Sequence, residues 1–326
     1  MPKHTIRGGS FLRMANDETV DVQKLIAQKK QGRQWKMRLE KLIPATLFLI
    51  ASISVMTTAG IIIILLKESI QFFKQYSMID FFTGTVLKPL SQTPSFGVLP
   101  LLMGTLTSTV IALAVAIPIG LMTAIYLSEY AHERARKILK PMLEVLAGIP
   151  TIVYGFFAFT FVTPLLKNVI PGLEATNILS PGIVMGIMII PMIASLSEDA
   201  MSAVPNSIRE GALAMGATRL ETVFKIVIPS ALSGIIASIV LAFSRAIGET
   251  MIVTIASGST KDFTFDVTQS MQTMTAYIVE VTGGDAPAGS TVYYSLYAVA
   301  MTLFLFTLFM NLLASFISKK WKNQYE

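Results

Sequence analysis

The chain has 326 residues, 53% of them hydrophobic and only 14% charged, with a mean hydropathy of +0.63. A soluble domain carries about 25% charged residues, so this composition argues against an ordinary globular protein. There is no cysteine, which removes disulfides, thiolate metal sites and cysteine nucleophiles, and only His4 and His132 could supply imidazole chemistry.

The net charge of +6 resides entirely in residues 1–41, which hold ten Lys/Arg and four Asp/Glu and form a basic tail. Uncharged stretches follow at Leu42–Leu66, Pro89–Ser128, Val145–Leu166, Ala175–Ser197, Ile226–Ser244 and Ala286–Ser318. About 20 apolar residues cross a hydrocarbon core, so six transmembrane helices are expected. Pro89, Pro94 and Gly97 punctuate the second stretch and place the start of its helix near Val98. The first stretch is too long for a secretory core and reads as a span. The segment between the first two spans, 67–97, is rich in aromatic residues (Phe72, Phe73, Tyr76, Phe81, Phe82) that suit an interfacial belt or contact with a binding protein.

Loop charge sets the orientation. Alternating from the N-terminus, the tail, 129–144, 198–225 and the C-terminal tail together hold 20 Lys/Arg, whereas 67–97, 167–174 and 258–285 hold 5. Both termini are therefore expected in the cytoplasm. Arg33, Lys36, Arg38 and Lys41 then read as an anchor near anionic lipid, and no nucleic-acid motif accompanies the charge.

The segment 198–225 has internal order. Ser207-Ile208-Arg209-Glu210 and Thr218-Arg219-Leu220-Glu221 both fit capping boxes, with Gly216 between them as a helix stop. Two short helices are predicted, the first with an apolar stripe of Ile208, Ala212 and Met215. A helix lying on its own protein or on the bilayer is the plain reading of that stripe. The spacing of Glu210-Gly211-Ala212, Gly216 and Ile226-Val227-Ile228-Pro229 resembles the EAA loop of ABC importer permeases. Gly211 and Ile228 are mild departures from that family's pattern. The resemblance implies a helix that docks on a cytoplasmic ATPase, with Glu210, Gly211, Ala212 and Gly216 carried over by position and Ile208 and Met215 on its apolar face. The chain has no Gly-Lys dipeptide, so a P-loop is impossible and ATP with its magnesium must be held by a partner.

In the fifth stretch, Arg245 and Glu249 interrupt an apolar run from Pro229 to Ser257. Arg245 lies 16 residues from Pro229, roughly 24 Å along a helix, which places it past the midplane. Ionisable groups at that depth cost at least about 2.5–3.5 kcal/mol each and face a cavity or a partner. On a continuous helix the two share a face at i, i+4 and form either a self-neutralising pair or an anion site. In the second reading, guanidinium matches a tetrahedral oxyanion in bidentate fashion. Glu249 would hold Arg245 in place and accept a hydrogen bond from the proton that phosphate carries and sulfate lacks.

The run Phe243-Ser244-Arg245-Ala246-Ile247-Gly248-Glu249-Thr250 resembles the fifth-span signature of the phosphate ABC importer permeases. The segments Leu146–Gly155 and Gly97–Thr105 are also similar to that family. Met251-Ile252-Val253 and the long tail favour its PstC type. The resemblance implies an all-α type I permease fold with a core over 96–320. Ahead of it lie the tail 1–41 and a first span with its outer loop over 42–95, and a C-terminal tail of 321–326 follows. The implied partners are a second permease of PstA type, two copies of a PstB-type ATPase and a PstS-type extracytoplasmic phosphate-binding protein in a bacterial inner membrane. Sulfate, molybdate and phosphonate stay open as substrates, as does a non-ABC anion channel or secondary transporter. Intramembrane hydrolase chemistry lacks its parts, because neither histidine nor any aspartate falls in a span. Glu198-Asp199 reads as a charged boundary. Val267, Met271, Met274, Ile278 and Val281 predict an amphipathic helix ending at Gly283-Gly284, packed on the bundle or acting as a gate.

Overall fold

The computed structural model describes the backbone of residues 18–284 and 286–322, and the side chains of Glu40, 42–284 and 286–316. The anchor residues Arg33, Lys36, Arg38 and Lys41 lie outside the described side chains. Contacts divide the chain into two units, Met1–Ile64 and Leu65–Glu326.

The first unit is helical from Glu18, as the start of α1 (Glu18–Gln75). Over residues 42–64 α1 is apolar all round, the pattern of a helix surrounded by lipid. Four of its hydroxyls are satisfied within the helix: Thr46, Ser52, Thr57 and Thr58 donate to carbonyls three or four residues back, as hydroxyls in apolar helices do.

The second unit takes in the end of α1, which continues to Gln75, nine residues past the expected stop at Leu66. Next come α2 (Met78–Thr83) and a small hairpin of β1 (Leu87–Lys88) and β2 (Ser95–Phe96). The long α3 (Leu99–Ile125) ends in a π-helical turn over Tyr126–Tyr130. Helix α4 (Glu133–Ala147) bends by 86° into α5 (Thr151–Phe157), which continues through a π turn to α6 (Thr163–Lys167). The remaining helices are α7 (Leu179–Ser202), α8 (Asn206–Ala214), α9 (Arg219–Thr222), α10 (Ile228–Ile247), α11 (Met251–Ala256), α12 (Met274–Gly283) and α13 (Thr291–Lys322). Among the described residues five helices are long and apolar enough to cross a membrane, or six with the bent α4–α6 counted as one span. The fold is all-α but for that hairpin.

Helices α3 and α7 form the centre of the second unit. Ala112, Ala116, Val184, Met185, Ile189 and Ile193 are fully or almost fully buried between them and their neighbours. Small residues permit this approach: a Cβ added to Gly186 would lie 2.7 Å from the carbonyl of Ala112. Ser197 and Ser238, 2.8 Å apart and buried, tie α7 to α10.

Alternate connections gather at two ends. At one, Glu174 links to the 258–273 segment, its N–H donating to the Thr268 carbonyl at 3.0 Å and its carboxylate accepting from Ser270 N–H at 2.9 Å. At the other, the 129–147 segment meets the 198–225 segment. This clustering matches the alternation read from loop charge.

Four expectations need correction. The aromatic residues of 67–97 are largely core: Phe72, Phe81 and Phe96 are buried in edge-to-face contacts, and only Phe82 is well exposed. Aromatic quadrupoles favour that geometry over a scattered belt. The basic segment 129–144 is mostly helix, and the third span proper begins at Thr151. Glu198 and Asp199 sit inside α7, which runs to Ser202 and shortens the expected loop. The stripe from Val267 is helical only from Met274, because Thr273 caps α12 with its hydroxyl and the chain before it is extended against the bundle. Within α12, burial pushes the Tyr277 phenol up to about 12, and its hydroxyl pairs with Ser295 at 2.7 Å.

Candidate functional site

The segment after α7 is built from local signals. Pro205 takes the N-cap position of α8, so the helix begins at Asn206 and the capping box expected at Ser207 does not form. At the other end the Gly216 N–H donates to Leu213 and the Ala217 N–H to Ala212, the paired bonds of a Schellman motif. Gly216 has φ +91°, the left-handed conformation that motif requires. The second capping box does form. Thr218 Oγ1 accepts from Glu221 N–H at 3.2 Å and Glu221 Oε2 accepts from Thr218 N–H at 3.0 Å. A π turn over Val223–Val227 then carries the chain without a break into α10.

The result is a helix that offers its apolar side outward. Ile208 and Met215 are 45% and 89% exposed, Glu210 and Gly211 are exposed, and Ala212 is half-buried. The six residues singled out in the sequence therefore lie together on one projecting element. Arg209, which the sequence reading left unassigned, points the other way, into the bundle.

Beside this element lies a buried charge cluster. Glu198 is fully buried and accepts from Arg136 Nη2, from Lys140 Nζ at 2.8 Å and from Ser202 Oγ at 3.1 Å. Lys140 also reaches Asp199 at 3.1 Å. These bonds fasten α4 to the end of α7 and explain why Glu198-Asp199 interrupts an apolar helix. Both cations come from a segment about 60 residues away in sequence, so no local signal could reveal them.

The fifth-span pair is arranged differently from the expectation. Helix α10 stops at Ile247 with Gly248 as its cap, so Arg245 and Glu249 do not share a helical face. No ion pair joins them among the described residues. Glu249 is 9% exposed and sits in the break, where its Oε1 accepts from the N–H groups of Met251 and Ile252 at 3.0 and 3.3 Å. It thus caps α11, an arrangement the helix dipole favours. Its carbonyl accepts from Thr275 Oγ1 at 2.7 Å, which ties the break to α12. Arg245 is exposed near the end of α10, one residue after Ser244, whose hydroxyl bonds Asn311 of α13. Among the described residues no group of three or more metal-ligating side chains occurs.

Apolar helices long enough to cross a membrane, one of them broken after an exposed arginine, and a helix that turns its apolar side outward describe a multi-pass membrane protein. A family model described as "Binding-protein-dependent transport system inner membrane component" matches residues 116–323, and the chain belongs to that family. It is 31% identical over 313 residues to the Bacillus subtilis protein named "Probable ABC transporter permease protein YqgH", covering 94% of this chain and 99% of that one. It is 32% identical over 240 residues to the Haemophilus influenzae "Phosphate transport system permease protein PstC", covering 68% and 75%. Among solved structures, a chain of a bacterial ABC transporter for alginate import matches with TM-score 0.59 at 16% identity. The match covers 84% of this chain and 96% of that one. A chain of the MetNI methionine transporter matches with TM-score 0.51 at 15% identity, covering 69% and 94%. The fold is that of ABC importer permeases. The chain is a transport subunit, and ATP hydrolysis belongs to a partner ATPase.

Proposed function

We propose that this permease is of PstC type and moves inorganic phosphate into the cytoplasm, with Arg245 on the path of the anion. The observation that carries this reading is Arg245 itself: an always-charged guanidinium, exposed, without an ion-pair partner among the described residues, at the point where a membrane helix breaks. A fork of that shape suits a tetrahedral oxyanion. The PstC names among its relatives favour phosphate.

Glu249 takes a role narrower than the sequence suggested. Its Oε1 is committed to capping α11, and Oε2 is left to accept a hydrogen bond from a protonated substrate oxygen. Phosphate near neutral pH keeps at least one proton, whereas sulfate keeps none and meets a bare carboxylate. The excess of Lys/Arg in the tail, 129–144, 198–225 and the C-terminal tail supports a cytoplasmic α8 end and cytoplasmic termini. There Glu210, Gly211, Ala212 and Gly216, with Ile208 and Met215, meet one of two PstB-type ATPases that hold ATP and magnesium. A PstA-type permease completes the pathway, and a PstS-type protein delivers phosphate at the opposite end. No cofactor is assigned to this chain.

Reconstitution with these partners tests the reading. Phosphate-loaded binding protein is expected to stimulate ATP hydrolysis, and Arg245→Gln to abolish uptake while leaving the complex assembled. An equal response to sulfate would overturn phosphate in favour of a broader oxyanion permease. Glu249→Gln is expected to narrow the preference for phosphate over sulfate, and unchanged discrimination would remove Glu249 from substrate selection.

A further inference from the structure

Arg209 is the residue on α8 that turns away from the exposed docking side. Only 15% of its side chain is exposed, and its partner Glu129 is 12% exposed. The guanidinium serves two helix ends at once. Nε and Nη2 donate to Glu129 Oε1 at 3.2 and 3.0 Å, at the π turn that ends α3. Nη2 also donates to the Met201 carbonyl at 2.6 Å, and Nη1 to the Val204 carbonyl, where α7 ends. Nη1 further reaches Asn206 Oδ1 at 3.1 Å, and Ser128 Oγ donates to the same Glu129 oxygen at 3.0 Å.

The chemistry explains the choice of residue. Terminal carbonyls of α7 lack intrahelical donors, and a cation at a helix C-terminus also suits the dipole. A planar fork with five donors can satisfy them and a carboxylate together, which one ammonium cannot. Glu129 is brought to the same point by a π turn, a distortion that re-aims side chains and recurs at functional sites. Helices α3 and α7 are the closely packed centre of the unit, so a group bonded to both ends holds that centre.

We propose that Arg209, paired with Glu129, is the positioning residue that locks α8 to the α3–α7 pair, so that a push on α8 moves the pair as one body. The exposed residues Ile208, Glu210 and Met215 receive the push, and Arg209 passes it on. This rests on the ABC permease family and not on the identity of the substrate.

The test uses the complete importer. Because the chain has no cysteine, Met122→Cys on α3 and Ser207→Cys on α8, an exposed position outside the docking residues, give two spin labels whose separation reports that rigidity, with cysteine-free partners. With Glu129 intact, the distance distribution is expected to be the same without nucleotide, with ATP and after vanadate trapping. In Glu129→Gln, nearly equal in size, it is expected to broaden and shift with nucleotide. ATP hydrolysis should continue, while phosphate taken up per ATP falls about fivefold or more, the scale of a coupling energy between sites. Arg209→Lys keeps the charge without the fork and is expected to uncouple likewise. A nucleotide-invariant distance and unchanged uptake per ATP in Glu129→Gln would overturn the proposal. Loss of the ATPase from that variant would also overturn it, since the pair would then be an assembly anchor. The distance is read without substrate, so an error about phosphate shows separately, as absent uptake by the unsubstituted importer.

Discussion

Gly216 shows how much one residue can determine and how plainly a sequence can announce it. Its φ of +91° closes the Schellman turn that ends α8, and nothing crowds the space where a Cβ would stand. The cost of a side chain is therefore conformational alone, about 1–2 kcal/mol for an L-residue forced into the left-handed region. Gly216→Ala is expected to lower the melting temperature of the permease–ATPase complex and weaken retention of the ATPase, read together by thermal unfolding and co-purification. An unchanged complex would mean that the turn tolerates another closure. Gly216 and Thr218 were legible because helix stops and capping boxes are written within a few residues. Glu249 was misread for a related reason. Sharing a face at i, i+4 requires an unbroken helix, yet Gly248 stands between the two charges and α10 stops there. Arg209 was legible only as a cation, since its partner Glu129 lies 80 positions away.

At the scale of elements, α4 was the largest omission. Counting Arg134, Arg136, Lys137 and Lys140 as loop charge conceals a helix. Its packed face carries Arg136 and Lys140 at i, i+4, and its outer face carries Ile138, Met142 and Val145 at i, i+4, i+7. The bend after it was signalled by Gly148 and Pro150, and Tyr154 Oη braces it by donating to the Leu146 carbonyl at 2.8 Å. The cluster that holds α4 is asymmetric: Glu198 is fully buried, whereas the side chains of Arg136 and Lys140 are 41% and 31% exposed. Removing the carboxylate leaves cations that can rehydrate, so Glu198→Gln is expected to cost about 2–3 kcal/mol, near or below the usual loss for breaking a buried pair. Replacing both cations by methionine strands a buried charge and is expected to cost more. Urea or thermal unfolding of the two variants checks the order, and the reverse order would show that Glu198 reaches water.

For the whole molecule, five apolar helices and the bent α4–α6 as a sixth span were readable because membrane hydropathy is a long-range signal carried by every residue of a span. How the spans pack was not readable. The approach of α3 and α7 depends on small residues such as Gly186 whose partners lie on another helix, and Gly186→Val, which would drive a side chain into the Ala112 carbonyl, is expected to cost about 1–3 kcal/mol by overpacking. The proposed orientation can be tested directly on the second unit. Leu90, beyond β1, and Met215, beyond α8, are 87% and 89% exposed and belong to segments gathered at opposite ends. In a chain with no cysteine, each can be made the sole target of a membrane-impermeant maleimide. Leu90→Cys is expected to react in right-side-out vesicles and Met215→Cys only in inverted ones. The opposite pattern would reverse the orientation and, with it, the side on which an ATPase could reach Glu210. Reaction of both in the same vesicles would break the alternation of loops on which the charge count depends.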